Sequence, residues 1–214
     1  MKKIIFILLT ILIVFFIYFL NIDRKVFYLS IGDYLAYGIN NLNIVDNNYS
    51  DNIKNKYNSK LKQYINYSSI DDYRVTDLIN DIKYNKTIIY KEKEYKIQNL
   101  LIKANLITIS IGMNDLLYKN NIDKYEYGDE LLKDMEKLLF LIRKYNKDKI
   151  YVLSFYNIIN NEELITYLNK KLMSICEKNN IQYVDISKLN NYIIIGKYPT
   201  NDGYSYITNK LIYY

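Results

Sequence analysis

The sequence contains no histidine, and it has a single cysteine, Cys176. Histidine is the usual general base, the side chain that usually titrates near neutral pH, and the commonest metal ligand. Its absence excludes every Ser-His and Cys-His mechanism. The lone cysteine excludes an internal disulfide and a cysteine-rich metal site. We expect no cofactor and no metal, because the sequence also has no glycine-rich loop that could hold a phosphate.

Acidic residues are fewer than basic ones, 23 against 29, which gives a formal net charge of +6. Lys, Asn, Ile and Tyr dominate throughout, as expected of a gene from an AT-rich genome. The excess of basic residues could favour binding to anionic lipid or wall polymer. A solvated surface whose composition has drifted with that of the genome is the simpler interpretation. The lysines form no compact block and no aromatic-basic stripe, so we expect no nucleic-acid partner. Nothing in the sequence specifies an oligomeric state.

The N-terminus carries the one long uncharged run, residues 4–20, with Thr10 and Tyr18 as its polar interruptions. At about 1.5 Å per residue a helix of this run is about 25 Å long, the short end of what a bilayer core requires. No small-residue cleavage pattern follows. We therefore predict an uncleaved, single-pass signal anchor over residues 1–24, with a cleaved signal as the alternative, and a folded domain over 25–214. Lys2 and Lys3 place that domain outside the cell membrane, although Arg24 and Lys25 oppose this orientation.

Apolar runs and amphipathic segments alternate from residue 25 onward. The runs predict strands over 26–31, 63–67, 106–111, 150–155 and 181–186, and helical spacing predicts helices over 47–61, 74–82, 97–103, 129–145, 162–178 and 202–213. Residues 84–95 read as a charged, β-leaning insertion. This alternation predicts an α/β fold, a flavodoxin-like three-layer α/β/α sandwich with a mostly parallel sheet. The functional crevice of such a sheet lies at the carboxyl ends of its strands.

Four loops at or near these strand ends carry recognisable motifs. Residues 30–38 read SIGDYLAYG, residues 69–78 read SIDDYRVTDL, residues 111–116 read IGMNDL, and residues 198–204 read YPTNDGY. Each motif alone is weak evidence. Their order, their separations and their positions relative to the predicted strands give the set its weight.

Together these blocks resemble those of the SGNH/GDSL hydrolases, and the resemblance covers roughly residues 25–213. Within the family, the chain resembles small membrane-anchored members from low-GC bacteria. In that family a serine attacks an acyl carbonyl, a histidine takes its proton, and an aspartate three residues before the histidine orients the ring. The backbone N–H of the serine, a glycine N–H and an asparagine amide form the oxyanion hole. The resemblance implies acyl esters of lipids, sugars or wall polymers as the substrate class.

Carried over position by position, the resemblance gives an altered catalytic set. Tyr34 stands at the serine, Asp72 at the oxyanion glycine, Asn114 at the oxyanion asparagine, Ile195 at the aspartate and Tyr198 at the histidine. A phenol with a pKa of about 10 is a poor nucleophile in place of serine. A carboxylate at Asp72 would repel an oxyanion that needs donors worth roughly 3 kcal/mol each. Of the five positions, only Asn114 is retained.

Four further residues of these loops are retained and are candidates for binding: Gly32, Asp33, Gly112 and Asp115. Asn114 and Asp115 could equally cap the turn that follows their strand. Asp33 is better explained as a turn former than as a catalytic group. Asp202 is expected to be the N-cap of the last helix.

Three functional hypotheses follow from this set. The first is a catalytically inactive protein that binds an envelope lipid, glycan or protein. The second is an active hydrolase with a rebuilt, histidine-free site, in which Asp33 or Asp72 is the base and Ser30, Ser69 or Ser110 is the nucleophile. The third is a paralogue without a present role. The sequence alone favours the first over the second, because no nucleophile and base are recognisable from their spacing.

Overall fold

Strands and helices alternate along the computed structural model, which describes residues 10–12, 15, 25–42, 44–46, 48–69, 72–118, 124–193 and 196–212. The strands are β1 (Val26–Gly32), β2 (Leu61–Ser68), β3 (Thr87–Tyr90), β4 (Lys93–Lys96), β5 (Leu106–Ser110), β6 (Lys149–Leu153) and β7 (Gln182–Val184). The α-helices are α1 (Tyr34–Tyr37), α2 (Tyr49–Tyr57), α3 (Val75–Lys83), α4 (Ile97–Lys103), α5 (Met113–Tyr118), α6 (Lys124–Tyr145), α7 (Glu162–Lys178) and α8 (Asn201–Ile212). Short 3-10 helices cover Asn58–Lys60 and Ser187–Tyr192.

The main sheet has five strands in the order β2-β1-β5-β6-β7, and all its pairings are parallel. Counting only these strands, the order is 2-1-3-4-5, which is the flavodoxin-like arrangement. The predicted α/β class and sheet are thereby confirmed. The strand order reverses between β1 and β5, so the crevice of such a fold lies above the carboxyl ends of these two strands. Strands β3 and β4 form a separate antiparallel hairpin within the predicted insertion.

Helices cover both faces of the sheet. Helices α2 and α8 pack together on one face, whereas α3, α4, α6 and α7 pack in sequence on the other. Strand β5 is consequently buried along its whole length, and β1 is buried from its second residue onward. Burial on both faces explains why these strands read as continuous apolar runs instead of alternating ones.

Helix α6 begins at Lys124, five residues before the predicted start at Asp129. The difference arises at Gly128, which interrupts the helical pattern of the sequence. A Cβ at this position would lie 3.0 Å from Leu168 Cδ2 of α7. The glycine therefore serves the close packing of two helices and does not end α6.

The last helix also corrects a prediction. It begins at Asn201, so Asp202 lies inside its first turn and is exposed. Thr200 takes the capping role, because its Oγ1 accepts a hydrogen bond from the N–H of Gly203 at 3.3 Å. Its hydroxyl satisfies one of the N–H groups that the start of a helix leaves open.

Most of the predicted anchor, residues 4–20, lies outside the described residues. The described positions within it, Thr10, Ile11, Leu12 and Phe15, are helical and exposed. Searched over the described residues alone, the chain has no helix of sufficient length and apolar character to cross a bilayer. The signal anchor therefore stays a prediction.

Candidate active site

The loop after β1 brings Asp33 and Tyr34 to the switch point of the sheet. Gly32 passes so close to β5 that a Cβ there would lie 2.0 Å from the carbonyl oxygen of Ser110. The N–H of Asp33 donates to that same oxygen at 2.8 Å, and its Oδ1 accepts from the N–H of Leu35 at 3.2 Å. Asp33 therefore caps α1, as its interpretation as a turn former predicted. The cap directs the next residue, Tyr34, into the crevice.

Tyr34 is fully buried, with 0% of its surface exposed. Its hydroxyl lies 2.6 Å from the hydroxyl of Tyr156, which follows β6. The hydroxyl of Tyr156 donates to the carbonyl oxygen of Lys197 at 3.1 Å. Because Tyr156 has one proton to give, Tyr34 must be the donor in the bond between them. Burial raises the pKa of both phenols well above the usual value of 10.0, so neither is a phenolate near neutral pH.

The loop before α8 covers Tyr34 with two side chains. The ring of Tyr198 meets the ring of Tyr34 edge to face, with centroids 5.5 Å apart. The ammonium of Lys197 lies 4.7 Å from the centre of the Tyr34 ring and 5.5 Å from that of Tyr198, within the range of cation–π attraction. The structure thus brings the serine and histidine positions together, as the resemblance implied, and fills the space between them.

Asn114, which the resemblance places at the oxyanion asparagine, forms hydrogen bonds through both the nitrogen and the oxygen of its side-chain amide. Its Nδ2 donates to the carbonyl oxygen of Tyr73 at 3.2 Å, and its Oδ1 accepts from Lys197 Nζ at 3.3 Å. The side chain is 3% exposed. An oxyanion hole needs a free donor directed at the reacting atom. Here one of the two N–H donors of the Asn114 amide holds the segment that precedes α3.

Gly112 and Asp115 flank Asn114 and have structural functions. Gly112 has a φ of 105° in the left-handed region, and a Cβ there would lie 2.8 Å from Phe155 Cε1. Asp115 Oδ2 accepts from the N–H of Val75, the first residue of α3, at 3.2 Å. Asp115 therefore caps a neighbouring helix, which resembles the predicted capping role but acts across the crevice instead of on its own turn.

Asp72, the residue at the oxyanion glycine position, is exposed and has a φ of 35°. This left-handed backbone conformation favours glycine. Aspartate also adopts this conformation, as six other non-glycine residues of the described chain do, so the alignment of Asp72 with the family glycine stays a prediction. Ile195, at the position of the orienting aspartate, lies outside the described residues.

Two buried carboxyl groups lie near Tyr34 and have raised pKa values. Burial raises the pKa of Asp33 to about 7, and the negative charge of Asp115 adds to the rise, whereas the N–H groups of Leu35 and Met113 and the Lys197 ammonium oppose it. Among the described residues, Asp33 Oδ2 has no hydrogen-bond partner. Burial likewise raises the pKa of Asp115 to about 6, against the Val75 N–H and the charge of Arg74. The described residues contain no cluster of His, Cys, Asp and Glu that could hold a metal ion.

The serines proposed as alternative nucleophiles differ in accessibility. Ser30 and Ser110 are both buried, and each lies within hydrogen-bond distance of the hydroxyl of Tyr49, at 3.4 and 3.3 Å. Ser69 is half-buried, and its N–H donates to the carbonyl oxygen of Gly32. Ser30 and Ser110 therefore belong to the interior of the fold, and a substrate could not reach them.

Sequence reasoning did not identify two residues that occupy this site, Lys197 and Tyr156. Tyr156 comes three residues after β6, close to the edge of the sheet where functional side chains are expected, so its position was a usable signal. Lys197 directly precedes the histidine position, but no motif assigns it a role. Its contact with Asn114 depends on the path of the loop before α8, which local sequence does not specify.

Solved structures provide the comparison with known proteins. No family model matches the chain, and no curated protein matches it in sequence. A lipase from a goat rumen metagenome superposes with a TM-score of 0.69 at 20% identity, covering 88% of this chain and 96% of the lipase. A putative GDSL-like lipase from Parabacteroides merdae gives 0.69 at 12%, covering 90% and 96%. A catalytic mutant of an acetylxylan esterase from Geobacillus stearothermophilus gives 0.65 at 17%, covering 90% and 94%.

These matches span nearly the whole of each chain. Together with the parallel sheet and the motif loops at its switch point, they show that this chain has the SGNH/GDSL hydrolase fold. The resemblance inferred from the four loops is thereby confirmed at the level of the fold.

Proposed function

We propose that this chain is a catalytically inactive protein with the SGNH/GDSL hydrolase fold, held at the cell membrane by its N-terminal segment. The observation that carries the proposal is the fully buried Tyr34 at the nucleophile position, with its hydroxyl bonded to that of Tyr156. A nucleophile has to be exposed to its substrate and activated by a base. Tyr34 is neither, because burial keeps its phenol protonated.

The lost base supports the same conclusion. The chain has no histidine, and the Tyr198 side chain at the histidine position packs edge to face on Tyr34. The Lys197 ammonium lies over the rings of both tyrosines and contacts Asn114 Oδ1 at 3.3 Å. Catalysis at this position would therefore require Tyr34 to leave a packed interior and the half-buried Tyr198 to move aside.

The alternative of a rebuilt active site has one observation in its favour. The carboxyl of Asp33, with a pKa of about 7, has the acid strength of a general base near neutral pH. However, this carboxyl is fully buried, and two of the three candidate serines are buried with it. Ser69 is the one candidate that is partly accessible, and the variant below tests it; because the chain has no histidine, we favour the inactive protein.

Esterase assays on the purified full-length chain test inactivity. We expect no hydrolysis of p-nitrophenyl acetate above the buffer rate and no labelling by a fluorophosphonate probe, in an assay where an active esterase of this fold responds. Stoichiometric labelling of one serine, lost in its alanine variant, would overturn the proposal. Ser69→Ala is the variant of interest, and Ser205→Ala, an exposed serine of α8, is the matched control.

Membrane association has a separate test. Membranes containing the full-length chain are washed with alkaline carbonate, which removes peripheral proteins and leaves anchored ones. We expect the chain to stay with the membrane, because the uncharged run 4–20 inserts as a helix. Complete release by carbonate would contradict the anchor without affecting the conclusion about catalysis.

A further inference from the structure

The amino ends of the parallel strands share one edge of the sheet, which we call the amino edge. The strand register places Val26 beside Leu61, Tyr28 beside Leu106, and Leu106 beside Lys149. The chain enters the sheet here, because Lys25 directly precedes β1. Whatever precedes residue 25 is therefore attached to this edge and not to the edge that carries Tyr34.

Six exposed lysines lie at the amino edge. They either lead into a strand or end a helix that runs towards this edge, and they are Lys25, Lys56, Lys60, Lys103, Lys147 and Lys149. Asp148 and Glu177 lie among them. Lysine at the end of a helix complements the helix dipole, which accounts for Lys56 and Lys103. The other four lie outside the α-helices, so the dipole does not explain their presence.

The opposite edge of the sheet carries acidic residues. The first turns of six helices contain them, namely Asp51 of α2, Asp77 of α3, Asp115 of α5, Glu126 of α6, Glu162 and Glu163 of α7, and Asp202 of α8. The six lysines of the amino edge lie on the side to which the N-terminal segment is attached.

A cleft opens at the amino edge between α2, α8 and the starts of β5 and β6. Its volume is about 350 Å³, and Ile53, Leu106 and Leu211 contribute apolar walls. Lys56 and Lys149 both line it. This surface therefore combines positive charge with an apolar recess, which is the combination that an anionic lipid surface complements.

We propose that the amino edge is a docking surface for an anionic membrane. The inference rests on the proposed anchor for the position of the bilayer, because only residues 21–24 separate the uncharged run from Lys25. Four extended residues span at most about 14 Å. Lys25 therefore lies near the bilayer surface, at a distance comparable to the length of about 8 Å over which physiological salt screens charges. Docked in this way, the domain turns its closed crevice away from the lipid.

Fluorescence energy transfer to the bilayer tests this orientation in the full-length chain. Ser59→Cys labels the amino edge, and Thr76→Cys labels the opposite edge; both positions are exposed. The native thiol does not compete for the label, because Cys176 is buried and burial raises its pKa to about 12. The labelled chains are reconstituted into vesicles that contain a fluorescent acceptor lipid, with or without about 30% phosphatidylserine.

With phosphatidylserine present, we expect at least about three-fold more transfer from the Ser59→Cys label than from the Thr76→Cys label. The difference should fall at least two-fold in neutral vesicles, and also in about 0.5 M NaCl, which screens surface charge. The variant Lys147→Glu/Lys149→Glu should lose the difference in the same way. The matched variant Lys170→Glu/Lys171→Glu, on an exposed part of α7, should keep it.

Equal transfer from the two labels in anionic vesicles overturns the proposed orientation. Transfer that does not respond to phosphatidylserine, salt or Lys147→Glu/Lys149→Glu overturns the role of the lysines. Stronger binding to soluble polyphosphate than to the anionic vesicles would replace the membrane by a soluble polyanion as the partner. Carbonate could release the chain while the salt-sensitive difference in energy transfer between the two labels persists. That result would refute the anchor but not the docking surface.

Discussion

The hydroxyl of Tyr34 has one proton to donate, and it donates it inside the protein. The acceptor is Tyr156, whose own proton goes to the backbone of Lys197. At the position that the resemblance aligns with the family serine, this chain has a packed ring and a satisfied hydroxyl. Tyr34 thereby contributes to the stability of the core.

Substitutions at Tyr34 should separate the ring from the hydroxyl. Tyr34→Phe removes one hydrogen bond, and we expect the free energy of unfolding to fall by about 1 kcal/mol. Tyr34→Ser leaves a cavity in a fully buried position, and we expect a loss of about 3 to 5 kcal/mol. Urea unfolding followed by circular dichroism measures both. Equal stabilities of the two variants would show that the ring is not packed.

Asp33 makes stability depend on pH. Its pKa in the folded protein, about 7, lies above the ordinary value of 3.8, so the folded state binds the proton more tightly than the unfolded state does. This contribution is fully present below about pH 4 and is lost as the pH rises through about 7. At about 1.4 kcal/mol per pKa unit, the loss from this group is of the order of 4 kcal/mol.

The variant Asp33→Asn cannot ionise and should therefore remove most of this dependence. We expect it to be more stable than the original protein at pH 8 and no more stable at pH 4, by thermal unfolding at each pH. The exposed Asp202→Asn serves as control and should leave the profile unchanged. A profile for Asp33→Asn that falls as steeply as the original between pH 4 and pH 8 would refute this role of Asp33.

For individual residues, the sequence could predict which positions belong to the site but not which side chains contact one another there. Tyr34, Asn114 and Tyr198 were located because their loops follow a known order along the chain, and the structure brings all three together. The side chains that close the site, Lys197 and Tyr156, were not predicted. Their role depends on how far each reaches across the crevice, which the three-dimensional path of two separate loops determines.

Helix α3 begins after a residue whose side chain cannot cap it, although Asp77 in its own first turn accepts a hydrogen bond from the N–H of Arg74 at 2.9 Å. Arg74 precedes it, and arginine has no acceptor to offer to the first N–H groups. Asp115 supplies the acceptor from another element, at the N–H of Val75. The start of α3 thus depends on the loop that carries Asn114.

Substitution of Asp115 should show this dependence between elements. Asp115→Asn keeps an acceptor oxygen for Val75, whereas Asp115→Ala does not, and we expect alanine to be less stable than asparagine by about 1 kcal/mol. Hydrogen exchange at Val75 and the following amides should quicken in Asp115→Ala and much less in Asp115→Asn. Unchanged exchange in the alanine variant would show that α3 does not need this cap.

A helix can be predicted from sequence when its pattern of apolar residues repeats over several turns. The spacing predicted α4 and α7 with their observed bounds, because each has several buried positions at helical intervals. Helices α1 and α5 were not predicted, since four and six residues are too few to show a period. Strand β7 is shorter than predicted, because the apolar Ile181 and Ile186 beside it are buried without being part of the strand.

One core connects the described elements from Phe27 in β1 to Leu211 in α8. No described element has a separate interior that could persist alone, so we expect the domain to unfold in one cooperative step. Tyrosine fluorescence, which the 26 tyrosines provide without interference from tryptophan, should follow the same urea curve as far-ultraviolet circular dichroism. Two separated curves would show that part of the domain unfolds independently.

The hydroxyl chain that closes the crevice has a consequence for folding order. It joins Tyr34 to Tyr156, 122 residues further along, and Tyr156 to Lys197, another 41 residues on. Chain synthesis runs from the N-terminus, so Tyr34 leaves the ribosome long before its partners do. The bond from Tyr34 therefore cannot form until Tyr156 has been synthesised, and the bond from Tyr156 must wait for the loop that carries Lys197.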